Sequence, residues 1–356
     1  MTISRILTIG DAAQWTDVLR RCTRFDVYHS PEYHRVAELQ HEGSARLFVY
    51  EDGADVGALP FLLRETGTVP WLSGTKDLDG TSVYGYPGLL TNLVRPNTEF
   101  ATAFQAALLE HLRREKVVSL FSRLHPLIDN AWLVADIADV VDQGFTVSIG
   151  LEPNMGLEEL LSRMTGNRRR EIQKLRASGI RVVHDTNFVA MGEFRRAYHE
   201  TMRRAQAAER YFFDEDYFAS LREQLDGHLH LFVARSTSDE FLSAALIFVR
   251  GDIMQYHLSA TPDAFVRLSA VKLVVAEVAL WGARHGARWL HLGGGVGGSD
   301  SDGVYRFKRG FSDLVHTFRT MRLIVMPDRY DALCERRGDS ALPAANFFPH
   351  YRAPPT

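Results

Sequence analysis

The sequence predicts an α/β (α+β) protein of two related domains, each a mixed sheet flanked by helices. Three observations predict it. The chain has 356 residues, more than one ordinary core organises and about right for two domains. A segment of the first half recurs in the second, where "SPEYHRVAELQHEGSARLFVY" aligns without a gap to "DEDYFASLREQLDGHLHLFVA". Tyr33 then meets Tyr217, Gln40 meets Gln224, Gly43 meets Gly227, and Leu47-Phe48-Val49 meet Leu231-Phe232-Val233, all at an offset of 184 residues. Finally, helical and extended patterns alternate in the same order in both halves, which places helices against mixed sheets.

The elements follow in order. In each half a helical stretch leads into a strand beginning LFV. A turn follows, "EDGAD" or "STSDE", and then a second strand, "VGALPFLL" or "LSAALIFV", so each half holds a hairpin. A long amphipathic helix comes next, over about 98–115 and 269–285, followed by a strand, "VVSLF" or "RWLHL". Gly and Pro punctuate "IGLEPNMG", so domains are expected at 1–150 and 151–330, with 331–356 as a loosely ordered extension.

Composition narrows the function. Hydrophobic residues make up 46% and charged residues 24%, as in an ordinary globular protein, and the net charge of −3 supplies no whole-chain field for nucleic acid. No DNA partner is expected, and attraction to RNA must come from a local patch. Two cysteines, Cys22 and Cys334, lack metal spacing and suit a reducing compartment. The N-terminus lacks a basic run ahead of an apolar core, so no signal peptide is expected. The most apolar run, "LSAVKLVVAEVALWGA", carries Lys272 and Glu277 and reads as a buried amphipathic helix, so no membrane span and a cytoplasmic location are expected.

The most informative stretch is "RWLHLGGGVGGSDSDGVYRFKRGF". Gly293, Gly295 and Gly298 form a G-x-G-x-x-G after a strand-like run. A dinucleotide fingerprint needs a helix opening at the third glycine within a βαβ unit, and here SDSDG reads as a turn. No Gly-Lys-Ser/Thr closes the run, so a Walker loop also fails. A flexible loop explains the glycines but not Tyr305, Phe307, Lys308 and Arg309.

Four stretches together carry a resemblance: "VYGYPGLL", "GNRRREIQKLRASGIRV", "YFFDEDYF" with "QYHLSAT", and the glycine loop closing onto F-K-x-G-F. The chain resembles the FemABX family of aminoacyl-tRNA-dependent peptidyltransferases, with a related group of cellulose-locus acetyltransferases. The resemblance implies two tandem GNAT-like domains, here without the coiled-coil arm of some Fem proteins. It implies an amide-bond-forming aminoacyltransferase. The partners are then charged tRNA as donor and an amine-bearing acceptor, a peptidoglycan precursor or a small natural product such as an antibiotic.

Acyl transfer from an ester to an amine needs a held donor, an aimed neutral amine and a stabilised oxyanion. It requires no cofactor, no metal and no Ser-His-Asp arrangement, and His29, His34, His184, His257 and His291 are scattered. By the resemblance Lys308 stabilises the oxyanion or the leaving 3′-oxygen of the terminal adenosine, and Phe307 walls the donor cleft; these are the catalytic candidates. Tyr305, Arg306 and Arg309 are donor-binding candidates, since aromatics and cations hold single-stranded RNA ends. In the basic patch Arg169, Arg170 and Lys174 are phosphate-binding candidates, Arg170 and Lys174 sharing one helix face. Tyr84, Tyr86, Arg210, Tyr211, Tyr256 and His257 are acceptor-binding candidates, with "YGYPGLL" expected at the mouth of a cleft between domains.

Two other readings stay open. An acyl-CoA or acyl-carrier-protein N-acyltransferase needs a Gly-rich pyrophosphate loop before the long helix. The corresponding segments, "ATPDAFVRLSAVKLV" and "LVRPNTEF", contain no glycine. A non-catalytic binding protein on the same fold is the third.

Overall fold

A computed structural model describes residues 2–295, 302–337 and 347–353. The chain divides into two units, residues 1–143 with 318–356, and residues 144–317.

The first unit opens with β1 (Thr2–Leu7), α1 (Ala12–Arg21) and α2 (Pro31–Leu39). Helix α2 starts where the sequence supplies an N-cap, since the Ser30 side chain accepts from the Tyr33 amide and Pro31 takes the first helical position. Strands β2 (Ser44–Asp52) and β3 (Asp55–Glu65) form the expected hairpin, with Asp52 opposite Asp55 across Gly53-Ala54 and Gly53 at φ 60°. Then come β4 (Leu78–Thr81), the short β5 (Leu90–Thr91), α3 (Thr98–Arg114) and β6 (Val117–Arg123). Asn97 caps α3 by accepting from the Phe100 amide at 3.1 Å.

The chain passes into the second unit within β7 (Asp139–Gly150). It continues through α4 (Leu157–Ser162), α5 (Gly166–Ala177), β8 (Arg181–His184), α6 (Met191–Arg204) and α7 (Glu215–Gln224). There follow β9 (Leu229–Arg235), β10 (Phe241–Arg250), β11 (Ile253–Ala260), α8 (Val271–Arg284), β12 (Trp289–Gly294) and α9 (Gly303–Arg309). Strand β13 (Val315–Ile324) leads back to the first unit, which α10 (Pro327–Arg337) completes. The four helices between 157 and 224 are short, so the described residues hold no coiled-coil arm. No helix among them is long and apolar enough to cross a membrane.

The repeat is visible in the pairing. In the first unit the order is β1-β2-β3-β4-β6-β13, and in the second β8-β9-β10-β11-β12-β7. Both run antiparallel through the first three pairs, parallel at the fourth and antiparallel at the fifth. Tyr33 and Tyr217, each 3% exposed, are equivalent core residues, and Leu47-Phe48-Val49 and Leu231-Phe232-Val233 are all buried. The long helices α3 and α8 cover their own sheets, Phe104 and Leu108 in one and Val274 and Val278 in the other being fully buried.

The unit boundaries depart from the expected domains. Strand β13 belongs with β6, Leu323 opposite Leu120. Of the expected extension, α10 and residues 347–353 pack on the first unit instead of standing apart, and the rest lies outside the described residues. Tyr351 is fully buried with Val69, Leu72, Val118, Tyr330 and Leu333, and its carbonyl accepts from Trp71 Nε1 at 2.7 Å. The apolar residues of this terminal segment are what dock it.

Candidate functional site

In the second unit Lys308 reaches the end of β12, beyond the point where β11 and β12 part. The parallel ladder between them holds three pairs, ending at Gln255 opposite His291. There the buried His291 Nδ1 and Gln255 Oε1 lie 2.8 Å apart. Beyond this polar bolt, β11 runs on to Ala260 and β12 to Gly294 without pairing each other. Strand β12 also shifts register against β7 between His291 and Gly293, and Gly293 sits at φ 76°, a value that favours glycine.

The glycine run is explained by close approach. A side chain at Gly294 would meet the Phe145 carbonyl at 2.9 Å. One at Gly295 would meet Asp302 Oδ1 at 2.2 Å and Tyr305 Cβ at 2.9 Å. Gly294 thus lets β12 lie close to β7, and Gly295 lets α9 lie against the end of β12. Gly298 lies outside the described residues. Where the described residues resume, a helix of only two turns does open, Asp302 capping it by accepting from the Tyr305 amide at 2.7 Å. That geometry is no Rossmann unit.

Lys308 points from α9 toward the end of β12, where its Nζ donates to the Gly294 carbonyl at 2.7 Å. Burial pushes its pKa down to about 8, against the opposing pull of the Asp302 carboxylate. Phe307 packs against the core of the unit and meets Phe311 edge-on, the ring centroids 5.3 Å apart. Tyr305 is half-buried against the same core, Arg306 is exposed, and half-buried Arg309 donates to the Ser312 carbonyl at 2.7 Å.

The residue that organises this segment is Arg168. It is 7% exposed, donates through Nη2 to the Phe307 carbonyl at 2.9 Å, and stands over both Phe307 and Phe311, with Cζ 4.7 Å and 4.3 Å from the ring centroids. The Thr165 amide donates to the Gly310 carbonyl at 3.1 Å, so the start of α5 and the end of α9 are fastened twice. Arg168 belongs to the basic patch but was not among the candidates chosen from it. The signal was in the periodicity: Arg168, Ile172 and Leu175 form the buried face of α5.

Its neighbours differ. Arg169 is occupied locally, donating to the Leu161 carbonyl at 3.1 Å and, at 3.5 Å, to that of Ser162. Arg170 and Lys174 are exposed on one helix face. Among the acceptor candidates of this unit, His257 is a core histidine. Its Nε2 lies 2.8 Å from the Tyr217 hydroxyl, its ring stacks on Phe248, and burial pushes its pKa down to about 3. Tyr256 packs on the core and burial raises its phenol. Arg210 is exposed and lies over the half-buried Tyr211 ring at 4.9 Å. In the first unit Tyr84 and Tyr86 are half-buried. The Tyr84 carbonyl accepts from the Tyr33 hydroxyl at 3.0 Å, and Tyr86 meets Phe318 edge-on at 5.1 Å. The scattered histidines stay apart as catalytic groups: His29 and His34 are fully buried, and half-buried His184 lies beside His230.

Among the described residues no group of His, Cys, Asp and Glu is placed to hold a metal ion.

Residues 162–309 match the family model described as Acetyltransferase (GNAT) domain. No curated protein matches the sequence. Solved structures of similar fold include FemX, 13% identical, with 93% of this chain and 99% of that one covered at a TM-score of 0.72. L-PGS from Bacillus licheniformis is 13% identical, with 87% and 91% covered at a TM-score of 0.54. A tandem GNAT protein from the clavulanic acid biosynthesis pathway is 14% identical, with 90% and 98% covered at 0.50. With its twice-used strand order, its GNAT-matching segment and these neighbours, the chain carries the FemABX-like tandem GNAT fold.

Proposed function

We propose that the protein is an acyltransferase that forms an amide bond between an aminoacyl group, delivered by aminoacyl-tRNA, and an amine. The observation that carries this reading is the half-buried ammonium of Lys308, held by Gly294 beside the parting strands in a FemX-like fold.

In the reaction the neutral amine attacks the ester carbonyl, and the carbonyl oxygen gains negative charge. The Lys308 cation, little hydrated in its half-buried position, stabilises that charge or the departing 3′-oxygen. The carbon–oxygen ester bond then breaks, and the proton lost by the amine nitrogen ends on the 3′-oxygen. Phe307 shields the site from water, and Tyr305, Arg306 and Arg309 hold the RNA end. Arg170 and Lys174 offer an exposed cationic face to phosphates farther along, while Arg169 is committed to α4 carbonyls. In the second unit Arg210, Tyr211 and Tyr256 are proposed to contact the acceptor, a peptidoglycan precursor or a small amine-bearing compound; Tyr84 and Tyr86 are acceptor candidates of the first unit. His257 serves there through packing.

One observation favours a second reading, an acyl-CoA-dependent N-acyltransferase: the GNAT acetyltransferase model matches residues 162–309. The segment before α8 still lacks the glycines of a pyrophosphate loop.

The deciding experiment incubates purified protein with amine acceptors and either charged tRNA or acetyl-CoA, with and without ribonuclease, and reads amide products by mass. Ribonuclease-sensitive aminoacyl addition supports the proposal. Acetyl addition that survives ribonuclease overturns it in favour of the CoA reading.

A further inference from the structure

We propose that a groove between the start of α5 and α9 binds a phosphodiester of the RNA donor, with Arg168, Arg306 and Arg309 as its cationic walls. The inference rests on the tRNA-donor reading and gives its RNA a seat in the second unit.

The groove has a volume of about 310 Å³ and is lined by these three arginines with Thr165, Asn167 and Glu171. Helix α5, twelve residues long, opens into it. The first amides of a helix have no intrahelical acceptor and carry its positive end, so they favour an anion. Room exists for one, since a side chain added at Gly166 would meet nothing within 4 Å.

A second, independent observation is Arg168. Although nearly buried, its Nε and Nη1 have no hydrogen-bond partner; Nη2 donates to the Phe307 carbonyl, and Nη1 stands 3.7 Å from the Glu171 carboxylate. The rings of Phe307 and Phe311 and the Glu171 carboxylate answer the charge, but the Nε and Nη1 hydrogens still lack acceptors, a cost that a ligand oxygen would relieve. One carboxylate opposes the field. Glu171 lies 3.7 Å from Arg168 Nη1, but it is already answered by Lys272 Nζ at 2.8 Å and Asn167 Nδ2 at 3.3 Å. Three guanidiniums therefore face one carboxylate that has its own cation. Planar forks at several angles suit the tetrahedral oxygens of a phosphate better than a planar carboxylate. Arg306 and Arg309 flank Phe307 and Lys308 on α9, so the groove and the lysine share one short helix.

The test uses the full chain and a short, labelled, single-stranded RNA ending in CCA, followed by fluorescence anisotropy over a range of salt. Wild-type protein binds it. Arg306→Gln with Arg309→Gln raises Kd roughly tenfold at low salt and flattens the salt slope by about 0.7 per lost phosphate contact. Gly166→Asp separates binding from folding. An acid at the helix start preserves or raises Tm, while placing negative charge in the groove and weakening RNA. If both variants bind RNA with the wild-type Kd and slope while ribonuclease-sensitive transfer continues, this site is wrong and the donor reading stands. If the wild type has no affinity for the RNA and coenzyme A binds instead, the donor reading falls and takes the site with it.

Discussion

Arg168 holds Phe307 by both backbone and ring, donating to its carbonyl at 2.9 Å while its guanidinium carbon stands 4.7 Å from the ring centroid. One side chain thus fixes the residue immediately before Lys308. Arg168→Lys keeps the charge but loses the planar fork. We expect the acyl-transfer kcat to fall roughly a hundredfold, the scale associated with a small misplacement of a reacting group, while KM for the acceptor amine changes little. A kcat within a factor of two of wild type, measured under single-turnover conditions, would remove the positioning role.

Gly310 shows the same fastening from the other side. A side chain there would come within 2.7 Å of Arg168 Nη2 and 2.8 Å of its Nε. Gly310→Ala should lower stability by about 1–3 kcal/mol through overpacking. Combined with Arg168→Ala, which removes the obstructing group, it should cost clearly less than the sum of the two. Additive losses in denaturant melts would show that the two residues do not press on each other.

Under the proposed mechanism Lys308 sets the alkaline limit. Its pKa is lowered to about 8 by burial, so the cation is lost as pH rises through that value. A step that needs the cation slows on the same rise, and kcat should show an alkaline limb near pH 8. Lys308→Arg, charged throughout, should move the limb upward, and Lys308→Ala should lower kcat far more than donor affinity. A wild-type limb unchanged in Lys308→Arg would place the titration elsewhere.

Acid stability follows from His257. Its folded pKa of about 3 lies below the ordinary 6.5, so between those values the unfolded chain binds more protons. Stability contributed by the neutral ring is present above pH 6.5 and is lost as pH falls toward 3. His257→Phe should flatten the dependence of Tm on pH in that window. An equal slope in both proteins would assign the acid loss to other groups, His34 among them, whose pKa burial brings to about 4.

Much of this architecture was legible because it is local and repeated. The shared helix, hairpin, long helix and strand follow from apolar periodicity and turn residues, and the offset between the halves exposed their kinship. The final strand was not legible. Thr320 pairs with Arg123 and Ile324 with Ser119, partners far away in sequence that no local pattern announces. At the candidate site, Phe307 and Lys308 are proposed through their motif, but the lysine's partner is a backbone carbonyl, that of Gly294, a group every residue possesses. Arg168 was hidden for a different reason. Its spacing from Ile172 and Leu175 marks the buried face, yet an arginine in a run of arginines reads as solvated surface.

The return of the chain to complete its first sheet has a consequence for synthesis. Strand β6 leaves the ribosome early, but β13, which pairs with it, follows only after residues 144–317. Throughout that interval the nascent first unit presents an unpaired strand edge, the surface most prone to mispairing. The second unit has its own six strands to hand before β13 is finished, so it is free to fold while the first waits. A ribosome that stops just beyond Thr317 would therefore release a chain whose defect lies at the opposite end of the sequence from the missing residues.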